Sequence, residues 1–546
     1  MPQNLLLIAA SFLLAFIPLY PKIPLFDVLP GYIVRVRVED VLVLIAFLYY
    51  LAQLWRRKLD FKNQLTPWIF AYLGVASLSI LSAVFLIKTI PIELIHIGKS
   101  VLHLFRYTEY FALFFIMFSA IKKSKDLKVV FYALALTVVA IVVYGYGQRY
   151  WYWPVFSTMN REFSKGMVLY LTEHARVQST FGGHYDLAAY LVIVLPIFYL
   201  LAINAKKKWP RLALHSVHLL GLWLLIMSAS RTSFIAYLGA VMAGLLLLAF
   251  KPSKFWHKVF FFVRQSLTSL FLVALMMLVF GADMRERLEQ VLQAYPSVFK
   301  VYQESENFLS KQAEFFNDPL AKIRDWQAKM KPSNGIAFDN TQLDSVLTPT
   351  DQQPVSQRPV DVYADIPDKV AVSTQSSQGE TITTYVEKPR TWSANALKYG
   401  LSFAIRLDEL WPNALKGFAK NPLLGSGYAT LNKKEFQQFT EAESTDNNFL
   451  RTLGETGLLG FITFYGSIII LLVVLYRNQK TSTDQQLQVA NISFIAASIG
   501  LLLNASYIDV FASSKVAFTY WALAGAILAY NNLTVTKNVK KTKKST

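Results

Sequence analysis

Residues 187–208 read Leu-Ala-Ala-Tyr-Leu-Val-Ile-Val-Leu-Pro-Ile-Phe-Tyr-Leu-Leu-Ala-Ile-Asn-Ala-Lys-Lys-Lys. The run carries no charge from Leu187 to Ala205, and three lysines then close it. About 20 apolar residues cross the hydrocarbon core of a bilayer as a helix. The same pattern recurs along the chain, at roughly 4–20, 39–55, 67–88, 99–121, 128–147, 186–204, 212–229, 231–250, 259–281, 447–475, 488–506 and 514–531. The sequence therefore predicts an all-α polytopic membrane protein with about 12 transmembrane helices. The first run has no Lys or Arg before it, and Tyr20-Pro21-Lys22 is a poor small-residue cleavage site, so it is read as a helix rather than a signal peptide.

Composition agrees. Of 546 residues, 54% are hydrophobic and 16% charged, against roughly 25% charged in a soluble domain. That excludes a disordered chain, a coiled coil and a collagen, and argues against a soluble enzyme. With no cysteine there is no disulfide frame, thiolate metal site or Cys nucleophile. The formal net charge is +19. In a membrane chain such an excess points to basic cytoplasmic loops facing anionic lipid, not to nucleic acid.

Basic residues follow every even-numbered span: Arg56, Arg57 and Lys58; Lys122, Lys123 and Lys125; Lys206 to Lys208; Lys251, Lys254 and Lys258; Arg477 and Lys480; and the lysines of the C-terminal tail. The expected topology is a multi-pass cell-membrane protein with both termini cytoplasmic. Residues 1–281 hold spans 1–9, 282–446 form one large extracytoplasmic loop, 447–531 hold the last three spans, and 532–546 are a basic tail. In the loop, 283–330 read as amphipathic helix. Residues 331–390 are rich in Pro, Ser, Thr, Gln and Asp and poor in large apolar side chains, so they are read as flexible. Helical periodicity returns from Ser393.

Four motifs lie at or near the expected outer face: Arg176-Val-Gln-Ser-Thr-Phe-Gly-Gly-His184-Tyr-Asp; Ser228-Ala-Ser-Arg231-Thr-Ser; Arg406-Leu-Asp-Glu-Leu-Trp411 followed by Asn421-Pro-Leu-Leu-Gly425-Ser-Gly427-Tyr; and Ser444-Thr-Asp446-Asn447-Asn-Phe-Leu450-Arg-Thr-Leu-Gly-Glu455-Thr-Gly457-Leu-Leu-Gly460. Gly425-Ser-Gly427 is no nucleotide loop, since no Gly-Lys-Ser/Thr follows it. In this order, over about residues 170–530, the motifs resemble the O-antigen ligase and O-antigen polymerase family of integral-membrane glycan transferases.

The resemblance implies metal-independent glycosyltransferase activity without a cofactor. A polyprenyl diphosphate-linked glycan would be the donor and a sugar hydroxyl on a glycan or glycolipid the acceptor. The active site would face outward. It also implies that Arg231 and Arg406 contact the diphosphate. Where the family commonly has a His-Asn pair, this chain has Asp446-Asn447. Either Asp446 then takes the proton, or a nearby group such as Glu443 or His184 does, or the activity differs from the family's. Arg176, His184, Asn447 and Trp411 complete the candidate substrate-binding set.

The chemistry suits these residue types. Planar guanidinium groups bind diphosphate oxygens bidentately, and fixed cations lower the barrier as leaving-group charge develops. A carboxylate or imidazole must take the hydroxyl proton.

Each residue also has a plainer explanation. Arg231 would be a snorkelling interfacial arginine, Arg406 a partner of Asp408 or Glu409, and Asp446 the N-cap of span 10. Arg106 and Glu109 are expected to pair within span 4. Arg35 and Arg37 are expected to form an outer electrostatic rim. Asn504 and Asp509 are equally consistent with packing and function. The rival function is a transporter or lipid flippase, which twelve spans suit; the long loop and the lack of internal repeats stand against it.

Overall fold

A computed structural model describes residues 2–29, 35–59, 61–159, 163–171, 175–250, 255–281, 284–285, 300, 304, 337–338, 368–375, 381–388, 393–399, 401–431 and 444–545. Helices dominate. They are α1 (Pro2–Leu19), α2 (Val38–Trp55), α3 (Thr66–Leu81, prolonged by a π-turn at Ser82–Leu86), α4 (Leu94–Ala120), α5 (Ser124–Tyr150), α6 (His184–Asn204), α7 (Lys208–Met227), α8 (Arg231–Ala249) and α9 (Phe255–Phe280). Short α10 (Ala394–Tyr399), α11 (Leu401–Ile405) and α12 (Trp411–Lys420) follow, then long α13 (Asn448–Thr481), α14 (Gln485–Ala505) and α15 (Ser514–Ser545).

Among the described residues, ten helices are long and apolar enough to cross a membrane: α2 to α9, α13 and α14. The first and last expected spans are helical too. The apolar part of α1 covers only Asn4–Leu19, and α15 packs lengthwise on α4. Exposed Leu44, Ile45 and Leu48 on α2 and Phe260, Leu267 and Phe271 on α9 make an apolar outer surface suited to lipid. At the centre stands α6, buried along 83% of its apolar stretch against 17% for peripheral α9. It packs on α7, α8 and α14.

Polar side chains join the helices where water cannot compete. Asn491 and Asn531 exchange amide hydrogen bonds at 2.8 Å between α14 and α15. His218 and Tyr237 bond at 2.7 Å between α7 and α8. At one end of the bundle the buried Lys515 ammonium donates to three carbonyls: Pro18 at 2.9 Å, Tyr20 at 2.7 Å and Thr180 at 2.7 Å. It thereby joins α1, α15 and the segment before α6.

Within the stretch expected to be flexible, Asp368–Gln375 and Thr381–Lys388 form an antiparallel pair in register Val370 to Val386 and Val372 to Thr384. Val370, Val372, Thr383, Thr384 and Val386 are β-branched, and that shape favours an extended backbone even where overall composition is polar. A second, two-residue parallel pair joins Tyr170–Leu171 to Ala337–Phe338. Most of the expected amphipathic helix at 283–330 lies outside the described residues.

The two glycine motifs meet backbone to backbone. Ser426 N–H donates to Gly454 O at 2.8 Å, Gly427 N–H to Glu455 O at 3.0 Å, and Leu458 N–H to Pro422 O at 2.8 Å. The contact falls where α13 breaks at Gly457, whose φ of 67° and ψ of −168° are reserved for glycine. Gly425 opposite has φ +70°. A Cβ on Gly457 would lie 2.4 Å from the Leu423 carbonyl.

Gly457→Ala should therefore cost about 1–3 kcal/mol of stability from backbone strain alone. Gly74→Ala, at an exposed helix position with nothing within 4 Å, should be neutral or slightly stabilising. Thermal unfolding of the detergent-solubilised variants checks both.

Candidate functional site

Arg406 opens a π-turn, Arg406–Leu410, between α11 and α12. Such turns widen a helix locally and are common at functional sites. Here the widening turns the guanidinium inward. Arg406 is only 6% exposed. Its Nη2 lies 2.8 Å from Asp446 Oδ2, and its Nη1 donates to the Ser402 carbonyl and, at 2.8 Å, to the Ser402 hydroxyl. The guanidinium carbon stands 4.0 Å from the Tyr507 ring centroid, a cation–π stack. The expected partners are corrected: Asp408 faces away, accepting from Ser393 at 2.6 Å and Asn395 at 2.5 Å. Those two bonds hold the Asp408 carboxyl below its ordinary pKa.

Asp446 has φ +50°, a left-handed conformation that Asp tolerates better than most residues. Its side chain is about one-third exposed. Burial raises its pKa, while the Arg406 charge and the Ser444 hydrogen bond oppose the rise. Asp446 is not the N-cap of α13. Asn447 is, its side-chain oxygen accepting from Leu450 N–H at 3.0 Å. Asn447, expected among the substrate-binding residues, thus spends that oxygen on the helix. The left-handed turn carries Asp446 off the helix axis toward Arg406.

Asp509 sets this turn. It accepts from Thr445 N–H at 2.8 Å, Asn447 N–H at 3.1 Å and Arg451 Nη1 at 3.1 Å. The Ser444 hydroxyl sits between two carboxylates, 2.6 Å from Asp446 Oδ1 and 3.1 Å from Asp509 Oδ2. Arg451 also pairs with Glu455 at 3.3 Å.

Tyr507 is where the separate motifs converge. Burial raises the pKa of its hydroxyl; Arg406, a Ser402 hydrogen bond and Arg231 pull it down, and Tyr185 raises it. Arg231 and Tyr185 therefore lie within electrostatic reach of the ring that Arg406 covers. Arg231 is exposed at the first turn of α8. Ser233, two residues on, accepts from Asn504 Nδ2 at 3.1 Å, and the Asn504 carbonyl accepts Tyr507 N–H at 3.1 Å. Arg176 contacts His184 Nε2 at 2.5 Å and the Tyr185 hydroxyl at 3.3 Å. Trp411 reaches the group through Phe403: its ring lies 5.8 Å from Phe403, which stacks on Tyr507 at 6.0 Å. Arg176 Nε, Arg406 Nε and Trp411 Nε1 are buried without a hydrogen-bond partner among the described residues. Glu443, the other acid considered, lies outside them.

Tyr507, Tyr185, Ser402 and Arg451 were not singled out from the sequence. Helical spacing could have shown the i,i+4 pairs Ser402–Arg406 and Arg451–Glu455, whereas the meeting of Tyr507 with Arg406 joins distant stretches and leaves no mark in spacing.

A cavity of about 180 Å³ lies beside this cluster, among Lys22, Arg37, Arg106, Asp186 and Arg451. Arg106 pairs with Glu109 at 3.0 Å, and also with Asp40 of α2. Lys22 pairs with Glu39 at 3.1 Å. Burial lowers the Lys22 pKa to about 8, with Arg37 adding to the fall and Glu39 opposing it. Arg35 and Arg37 do not form an exposed rim. A bridge between Phe26 and Val36 folds the α1–α2 connection back on itself. It buries both arginines, and Arg35 pairs with Asp27 at 2.9 Å and the Ser164 carbonyl at 3.1 Å.

Compared with known proteins, the chain matches no family model and no curated protein. Among the described residues no group of His, Cys, Asp and Glu is arranged to hold a metal ion.

Asp509→Ala removes a carboxylate shared by two backbone N–H groups and a buried arginine, and should cost about 3–5 kcal/mol; a thermal unfolding midpoint equal to wild type would contradict this. Lys22 gives a pH test. Its folded pKa of about 8 lies below the model-compound 10.5, so between these values the unfolded chain binds the extra proton. Stability should rise with pH across that window, by about 3 kcal/mol in total. Lys22→Met should flatten the slope in unfolding scans from pH 7.5 to 10.5.

Proposed function

We propose that this chain is a membrane glycosyltransferase of the O-antigen ligase or polymerase type. It moves a polyprenyl diphosphate-linked saccharide onto a sugar hydroxyl at the outer face of the cell membrane. The observation that carries the reading is Arg406, stacked on Tyr507 and paired with Asp446, with Arg231 and Tyr185 within electrostatic reach of the same ring and Arg176 bonded to Tyr185. Three guanidinium groups from three stretches of chain suit one diphosphate. The N-terminus of α8, which begins at Arg231, adds its backbone dipole to them.

The acceptor oxygen attacks the anomeric carbon of the donor sugar. The bond from that carbon to the diphosphate oxygen breaks, and the leaving polyprenyl diphosphate keeps the electron pair. Arg406 and Arg231 balance its charge as it develops. Asp446 takes the acceptor proton. In the ligand-free site its carboxylate is paired with Arg406. A diphosphate competes for that guanidinium and releases a carboxylate whose burial already favours the protonated form. Donor binding thereby frees the base.

The rival is a transporter. The buried Glu39 and Asp40 and the half-buried Arg106 favour it, because intramembrane ionisable groups commonly mark transport paths.

The test is reconstitution in proteoliposomes with a polyprenyl diphosphate-linked glycan and a glycolipid acceptor. Arg406→Ala and Asp446→Asn should each lower kcat by at least about 10²-fold, with the folded fraction of each variant checked by its unfolding midpoint. Arg406→Lys should recover little, since an ammonium cannot bind bidentately. Full turnover by Asp446→Asn removes the base assignment. Wild-type turnover by Arg406→Ala removes the transferase reading, and donor crossing the bilayer without product formation selects the transporter.

A further inference from the structure

We propose that the cavity among Lys22, Arg37, Arg106, Asp186 and Arg451 binds a neutral saccharide ring, as the sugar subsite beside the diphosphate-binding arginines. This rests on the transferase reading for its role, not for the binding itself.

Charge bookkeeping selects a neutral ligand. Three of the four lining cations are paired, Lys22 with Glu39, Arg106 with Asp40 and Glu109, and Arg451 with Glu455 and Asp509, and the fourth, Arg37, lies within electrostatic reach of Glu39 and Asp40. Asp186 adds a further carboxylate to the wall. An anion entering here would have to break these buried pairs, which is costly. A polyhydroxylated ring meets both donors and acceptors without doing so.

Two lining groups still offer a buried donor. Arg37 Nε and the Tyr110 hydroxyl have no hydrogen-bond partner among the described residues. Their residues are 8% and 1% exposed. Thr158 and Ser513 hydroxyls border the same space, and Tyr107 and Phe511 supply aromatic faces. The volume of about 180 Å³ far exceeds what a single water needs and leaves room for one hexose-sized group.

The cavity adjoins the reaction site along two short paths. Tyr185, which accepts from Arg176, precedes Asp186 on the cavity wall. Arg451, also on the wall, pairs with Asp509, and Ser444 bridges Asp509 to Asp446. These contacts link the cavity wall to the carboxylate that takes the proton.

The absence of cysteine makes the test direct. Ala512→Cys reports on the cavity mouth, since Ala512 lines it and is exposed. Ser402→Cys reports on the diphosphate site beside Arg406. The full chain in nanodiscs is labelled with a neutral maleimide, and the rate at each cysteine is followed. Three probes are added separately: methyl glycosides of glucose, galactose and N-acetylglucosamine; inorganic pyrophosphate; and farnesyl diphosphate-linked N-acetylglucosamine.

The proposal expects saccharide probes to slow labelling at Ala512→Cys at least threefold, and pyrophosphate to slow only Ser402→Cys. Protection by methyl glycosides alone identifies the acceptor's sugar as occupant; protection only by the farnesyl-linked sugar identifies the donor's. Asp186→Asn and Arg37→Met should each abolish the protection at Ala512→Cys. If no saccharide probe protects that position, if pyrophosphate does, or if both variants keep full protection, the subsite is overturned. Failure of pyrophosphate at Ser402→Cys would count against the diphosphate site instead, so the two readings fail separately.

Discussion

The site depends on one buried carboxylate. Asp509 sits in the short turn between α14 and α15, yet it holds the start of α13 by the backbone N–H groups of Thr445 and Asn447 and by Arg451. Hydrogen bonds to an ionised group are worth about 1.5–3 kcal/mol each. That is enough to hold Asp446 in a left-handed conformation costing about 1–2 kcal/mol. With the turn held, the Asp446 carboxylate meets Arg406 rather than solvent. The Asn504 end of the same turn bonds both Ser233 of α8, two residues after Arg231, and the Tyr507 N–H. Asn504 and the eight residues between α14 and α15 therefore align the cation, the carboxylate and the aromatic platform.

How much of this was legible in the sequence follows from what each feature needs. A bilayer demands long apolar runs, so the helices could be read from hydropathy, down to the lysines that close α6. Spacing along a helix also made the Arg106–Glu109 pair readable, since residues three apart share a face. Long-range pairing could not be read. Arg406 ignores Asp408 and Glu409, its neighbours in sequence, because the π-turn rotates it toward Asp446, forty residues on. The cap was misplaced by one residue, since Asp and Asn are near-equal caps and only the contacts with Asp509 decide between Asp446 and Asn447. The Val370-to-Val386 strands were hidden by a composition average that local β-branching overrides. The cavity was invisible because its walls come from the α1–α2 connection, α4, α6, α13 and the α14–α15 turn.

The glycine motifs have a physical explanation that does not invoke ligand contact. Gly425 and Gly457 let two backbones approach closely enough to exchange hydrogen bonds at the break in α13. That break would otherwise strand polar groups in an apolar setting. Motif and packing thus have one cause: close approach that a side chain would block.

The same junction has an architectural effect. Because Pro422–Gly427 is clasped to Gly454–Leu459 of α13, the segment bearing Arg406 is moored to the helical bundle from its C-terminal side. The guanidinium inherits the rigidity of that mooring, and on its N-terminal side Ser402 of α11 accepts two of its hydrogen bonds. Arg406 is thereby braced from both directions along the chain, so a change in length of the Pro422–Gly427 turn would displace the cation from the carboxylate it faces.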